Sequence, residues 1–139
     1  MKHSIKRVVI ISFVLILSLV CCTSVLAEDV KPRWKELSTM SCNLTKASGL
    51  FSNASLSSHA SSWNNDNTIS LTVTIQKWNG SSYVNTSYSW SNSGKGIASV
   101  NKNINLPTGN YIAHAVATVY NSSGAYVETV TQNSSEIII

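Results

Sequence analysis

Cys42 with His59 or His114 is the grouping in this chain whose residue types could run nucleophilic chemistry, since an imidazole beside a thiol generates the reactive thiolate. Met40, Cys42 and Leu44, however, alternate as one inward face of a strand, which makes Cys42 a small structural core residue. An intermolecular disulfide is its second role. His114 falls mid-strand between Ala113 and Ala115, on the face opposite the core, and His59 lies near the end of an early strand, so both read as surface histidines. A zinc site needs three or four converging ligands, and these residues contain no close-spaced pair. Glu28, Asp29, Glu36, Asp66, Glu128 and Glu136 are scattered, with neither the paired spacing of a glycosidase nor a calcium loop. The expectation is a protein that is not an enzyme and needs no metal or cofactor.

Aromatic residues offer a different chemistry, because an exposed ring is a flat apolar platform that can stack on a sugar or enter a partner's pocket. Trp78 and Tyr83 flank a hairpin turn at Asn79-Gly80, and Trp63 lies in the polar loop Ser61 to Asn67. These three are the candidate ligand-binding residues. Each also has a structural role open to it: Trp78 and Tyr83 as a cross-strand pair worth roughly 0.2–1 kcal/mol, Trp63 as a ring folded back over the open end of the domain.

The elements that must position these side chains are strands. No 3.6-residue apolar stripe occurs, whereas period-2 alternation and β-branched runs recur between Asn, Ser and Gly turns. The pattern predicts an extended segment over 28–36, then strands near 37–45, 50–60, 68–78, 83–91, 97–106, 110–120 and 124–132. Seven short strands in one domain over 37–139 predict an all-β, seven-stranded antiparallel β-sandwich, immunoglobulin-like or fibronectin type III-like.

Ile69, Leu71, Val73 and Ile75 form the inward face of the third strand, and Val84, Thr86, Tyr88 and Trp90 that of the fourth. A two-residue turn and a four-residue loop ending at Ser82 give the same facing, because their registers differ by two. Trp78 and Tyr83 therefore point outward. Ala113, Ala115, Ala117 and Val119 make a stripe of mostly small residues that lets a facing sheet approach closely, and Tyr88 and Trp90 have the volume to fill the space opposite. Trp90 is thus expected to be a structural residue whose truncation costs roughly 3–5 kcal/mol.

Leu106-Pro107-Thr108-Gly109-Asn110-Tyr111, followed by an alternating strand, resembles the tyrosine corner of immunoglobulin-like and fibronectin type III domains. The resemblance implies a structural Tyr111 whose hydroxyl bonds to backbone a few residues upstream, and implies nothing about function. Val30-Lys31-Pro32-Arg33-Trp34 resembles the Pro-Arg-aromatic segment that follows the leader in a group of uncharacterised small secreted proteins of Gram-positive Firmicutes. That resemblance implies localisation and carries no catalytic residue with it.

Residues 1–27 read as a cleaved signal peptide: Lys2, Lys6 and Arg7 are basic, Val8 to Val20 is apolar except for Ser12 and Ser18, and Val25-Leu26-Ala27 suits cleavage. The apolar run is about 13 residues against the roughly 20 a spanning helix requires, so no membrane span is expected after cleavage. Lipidation at Cys21 or Cys22 is the other processing route, with the bulky Val20 against it. Three basic residues leave with the leader, so seven face six acidic ones and the formal charge falls from +4 to +1. A near-neutral domain with no basic stripe lacks the electrostatic footprint of nucleic-acid binding. Cys42 alone of the three cysteines stays, so no internal disulfide can form.

Together these features predict a secreted or extracellular protein, with cell-surface association open to it. The leading expectation is a non-enzymatic interaction module that binds an extracellular glycan or protein through exposed aromatics. A structural, self-associating protein is the alternative, since Ile137, Ile138 and Ile139 form an apolar strand that could add to another chain. That segment could equally complete an edge within its own domain. A secreted bacteriocin-like toxin is a third reading.

Overall fold

The computed structural model describes residues 34–139, which form an antiparallel β-sandwich. The signal peptide, the lipidation cysteines and residues 28–33 of the extended segment lie outside the described residues. Seven main strands run in order: β1 (Leu37–Lys46), β2 (Ala54–Ser62), β3 (Thr68–Trp78), β4 (Tyr83–Lys95), β5 (Ile97–Ile104), β6 (Asn110–Tyr120) and β7 (Tyr126–Asn133). A two-residue β8 (Ile137–Ile138) follows. One sheet has the order β1-β2-β5 and the other β4-β3-β6-β7, with β8 also pairing β6. The immunoglobulin constant arrangement would place the fourth strand beside the fifth. Here β4 stays with β3, the fibronectin type III-like variant.

The sheets close on alternating faces. Ile69, Leu71, Val73 and Ile75 of β3 and Ala113, Ala115, Ala117 and Val119 of β6 are wholly buried, as the period-2 pattern predicts. Fully burying a side chain of the Val, Leu or Ile type contributes roughly 1.5–3 kcal/mol, so β3 is the principal hydrophobic contributor. From the other sheet come Met40, Cys42 and Leu44 of β1, Leu56 and Ala60 of β2, and Ala98, Val100 and Ile104 of β5. Cys42 is the core residue expected of it: its Sγ lies 3.5 Å from the Ala113 carbonyl oxygen.

That contact corrects the role given to Trp90. The group opposite the alanine stripe is β1, led by Cys42, and not the aromatics of β4. Tyr88 and Trp90 have the inward parity expected but are only partly buried, because β4 is an edge strand that overhangs the narrower three-stranded sheet. Val84, farther along the same face, is exposed.

Two local devices shape β4. Thr74 pairs with Ser89 but Gln76 pairs with Asn85, so β4 accommodates two extra residues at this point. Thr86 Oγ1 donates to the Ile75 carbonyl at 2.7 Å and accepts from the Tyr88 N–H at 3.2 Å, which satisfies backbone groups the bulge would leave unpaired. An even insertion preserves facing, so Tyr83 still points outward and Tyr88 inward. At the other end, a single residue, Gly96, carries the chain from β4 in one sheet to β5 in the other. Its φ is 70°, and a side chain at Gly94 would meet the Ile97 carbonyl oxygen at 2.3 Å.

Tyr111 is buried, and its hydroxyl donates to the Pro107 carbonyl at 3.0 Å, pinning the β5–β6 connection. Asn53 clamps the same connection from the β1–β2 loop, its Nδ2 donating to the Leu106 carbonyl and its Oδ1 accepting from the Leu106 N–H. Residues 50–53, expected within the second strand, belong to this loop instead. The C-terminal segment turns back beside β6: Tyr111 pairs with Ile137, and Gly109 and Ile139 exchange backbone hydrogen bonds. Ile137 is buried, Ile139 is half-buried and packed on the core, and Ile138 is 56% exposed.

Candidate functional site

Trp78 and Tyr83 close the β3–β4 hairpin as directly paired residues, joined by a four-residue loop rather than a two-residue turn. Asn79 builds the loop: its Oδ1 accepts from the N–H groups of Ser81 and Ser82, its N–H donates to the Ser82 carbonyl, and Gly80 adopts φ 100°. The two rings lie 5.2 Å apart between centroids, tilted by 57°. Trp78 is 40% exposed. Tyr83 donates its hydroxyl to the Glu136 carboxylate, and that hydrogen bond with the negative charge behind it holds the phenol above its ordinary pKa. The outward facing and pairing expected of these two residues are both present.

Trp63 is at the opposite end of the sandwich. Strand β3 separates it from the hairpin tip by its full 11 residues, roughly 33 Å at the rise of an extended chain. The three candidate aromatics therefore make two surfaces, not one. Trp63 does not fold over the open end: it is 74% exposed on a loop organised by Asn67, whose buried Nδ2 donates to Glu36 and Ser62.

The residues that thiol chemistry would need are held apart. Cys42 is inside, His59 is on the outer face of the β1-β2-β5 sheet bonded to Ser99, and His114 is on the outer face of the other sheet bonded to Asn133. Burial pushes the Cys42 thiol up to about 11, with hydrogen bonds involving Ser58 and the Ser134 backbone pulling the other way. Such a thiol stays protonated at neutral pH. Among the described residues no three His, Cys, Asp or Glu side chains come together. Glu128 instead ties the entry segment to β7, where its carboxylate accepts backbone N–H groups from Lys35, Glu36 and Leu37 at 3.0, 2.8 and 2.8 Å. Partial burial opposes its ionisation, but those donors and Lys35 outweigh this and hold its pKa below the ordinary carboxylate value.

A groove of about 470 Å³ lies between edge strands β4 and β5. Its lining residues lie three to seven positions from Gly96 along either strand, so the tight corner at Gly96 brings them face to face. Trp90 forms one wall. Its ring stacks on Tyr88 with centroids 6.2 Å apart and an interplanar angle of 29°, and the Tyr88 hydroxyl reaches the Asn105 carbonyl at 3.3 Å. Asn92 spans the strands, donating its Nδ2 to the Ser99 carbonyl at 2.8 Å. Ser99 to Lys102 of β5 form the opposite wall, with Val100 and Lys102 on the inward parity of the strand and Ser99 and Asn101 on its outer one. Sequence reasoning missed this cleft because its walls belong to different sheets. The one local signal was the Gly94-Lys95-Gly96 spacing, which marks a corner too tight for side chains.

No family model, curated protein or solved structure matches the chain, so what the site does must be read from the chemistry of its own residues.

Proposed function

We propose that this protein is a secreted, non-enzymatic interaction module that binds an extracellular glycan or protein through the aromatics at its hairpin tip. The observation that carries the reading is the Trp78–Tyr83 pair: two rings turned out of the sandwich, 5.2 Å apart, on a loop fixed by Asn79. A rigid aromatic pair presents apolar area at little conformational cost, which is why such residues dominate recognition surfaces. The separation of Cys42, His59 and His114 supports recognition over catalysis. Trp63, roughly 33 Å away, would serve as a second contact point on an extended partner.

The test is binding of residues 28–139 to cell-wall polymers and a glycan panel, followed by tryptophan fluorescence. Saturable binding that Trp78→Ala and Tyr83→Ala remove, with the fold intact, is the expected result. Binding untouched by both variants would sink the hairpin-tip reading.

Self-association through the C-terminal strand is a second reading, carried by Ile138, which is 56% exposed on a two-residue strand at the edge of its sheet. It predicts concentration-dependent oligomers in sedimentation that Ile138→Lys abolishes. A monomer at all concentrations excludes it.

A further inference from the structure

We propose that the groove between β4 and β5 is a second binding site, for a saccharide unit bearing an acidic group. It is separate from the hairpin tip, and does not depend on that reading. The chemistry follows from what lines the cleft. Trp90 offers a ring that is already immobilised, packed on the core on one side and stacked with Tyr88. A sugar's apolar face can stack there without the entropy loss of ordering a free side chain. Val100 and Lys102 share the lining with serines and asparagines; the Ser89, Ser91 and Ser99 hydroxyls are bonded to Thr74, Thr72 and His59 on the outer sheet faces, so the apolar ring of Trp90 and a few polar groups led by Lys102 are what the groove offers.

One charged group is available to a ligand. Asn92 is occupied by the Ser99 carbonyl and the Ser93 N–H, whereas among the described residues the Lys102 ammonium, on the inward parity of β5 with Val100, has no side-chain hydrogen bond. Lys102 is the sole charged side chain on the lining, with no carboxylate there to neutralise it. A lone ammonium beside an aromatic wall selects a ligand with a negative charge next to its ring, as a carboxylate or a phosphate. The volume of about 470 Å³ falls within the usual small-ligand range of roughly 300–1,000 Å³ and suits a short saccharide rather than a folded partner.

The experiment titrates the full mature protein with a galacturonate disaccharide, glucose 6-phosphate and neutral lactose, read by amide chemical shifts and tryptophan emission. Saturable shifts on residues 89–92 and 99–102 with either acidic sugar, weaker with lactose, are expected. The first two probes distinguish carboxylate from phosphate as the acidic group. Trp90→Ala should weaken binding about tenfold or more, and Trp90→Phe should recover part of it. Lys102 is exposed, so Lys102→Gln leaves the fold intact and should erase the preference for acidic sugars; added salt should erode the same preference. Trp78→Ala should leave these titrations unchanged. The proposal is overturned by no shift at about 1 mM of any probe, by equal binding of acidic and neutral sugars, or by unchanged affinity in both Lys102→Gln and Trp90→Ala. Shifts confined to the hairpin tip and lost in Trp78→Ala would also overturn it, while supporting recognition there.

Discussion

The Trp78–Tyr83 pair at the hairpin tip and the Tyr88–Trp90 pair on β4 each combine one tryptophan with one tyrosine, at centroid separations of 5.2 and 6.2 Å. Their surroundings differ. The first pair lies across two neighbouring strands and points away from the core, braced by a single hydrogen bond to Glu136. The second lies along one strand with inward parity and leans on the core, and its Trp90 forms a wall of a groove whose far side comes from the other sheet. The same residue types thus become a projecting platform in one place and a recessed one in the other. Strand parity and edge position decide which.

The comparison can be broken at the corner that makes the groove. Gly94→Ala should destabilise the domain by roughly 3 kcal/mol, because the added carbon meets the backbone oxygen of Ile97 and cannot be relieved by a side-chain rotation. Urea unfolding measures the cost, and amide shifts should move on both sides of the groove while the hairpin tip stays fixed. A neutral substitution would mean that the corner does not hold β4 and β5 together.

Trp90→Ala should cost about 2 kcal/mol, below the value for a fully buried ring, since only part of its surface is removed from water. Tyr111→Phe removes the hydrogen bond to Pro107 and should cost about 1 kcal/mol by thermal unfolding. It should also loosen the 105–109 connection to which Tyr88 is tied, and so alter the recessed pair more than the projecting one.

Glu128→Gln tests the far end of the sandwich, where neither pair should respond. Its carboxylate pKa is depressed in the folded state, so the stabilisation is present above the ordinary value of 4.5 and is lost as pH falls through the folded value. The expected effect is about 1 kcal/mol at neutral pH once solvent screening is discounted, vanishing in acid. Stability curves of the wild-type and variant proteins should therefore converge below pH 4.5. A gap that persists in acid would contradict the assignment. The smallest effect belongs to Trp78→Ala, at about 0.5 kcal/mol, since an exposed cross-strand pair contributes little to folding. Equal costs at Trp78 and Trp90 would erase the distinction between the two pairs.

Trp78 and Tyr83 were legible in the sequence because a hairpin is local: alternation on both strands and one turn signal determine which way each ring points. Cys42 was legible as core for the same reason, from its neighbours Met40 and Leu44. Trp63 was only half legible, since no local pattern says whether a loop ring folds back. Ile137 to Ile139 are legible as an apolar strand whose partner no local pattern names, and the pairing of Tyr111 with Ile137 is what seats them.

What depends on neighbours in the chain was open to the sequence alone: the all-β class, the order of the seven main strands with approximate bounds, and the facing of β3 and β6, whereas the Tyr111 corner entered through a family resemblance. The first three follow from a period of two and from turn chemistry, which act over a few residues. Long-range packing, by contrast, set β1 across the alanines of β6 and placed Trp63 and Trp78 at opposite ends. The same long-range packing brought Trp90 and Lys102, from different sheets, to one groove. Each of those facts depends on which strands become edges and how two sheets stack, a choice made by burial summed over the whole domain and not by any one segment.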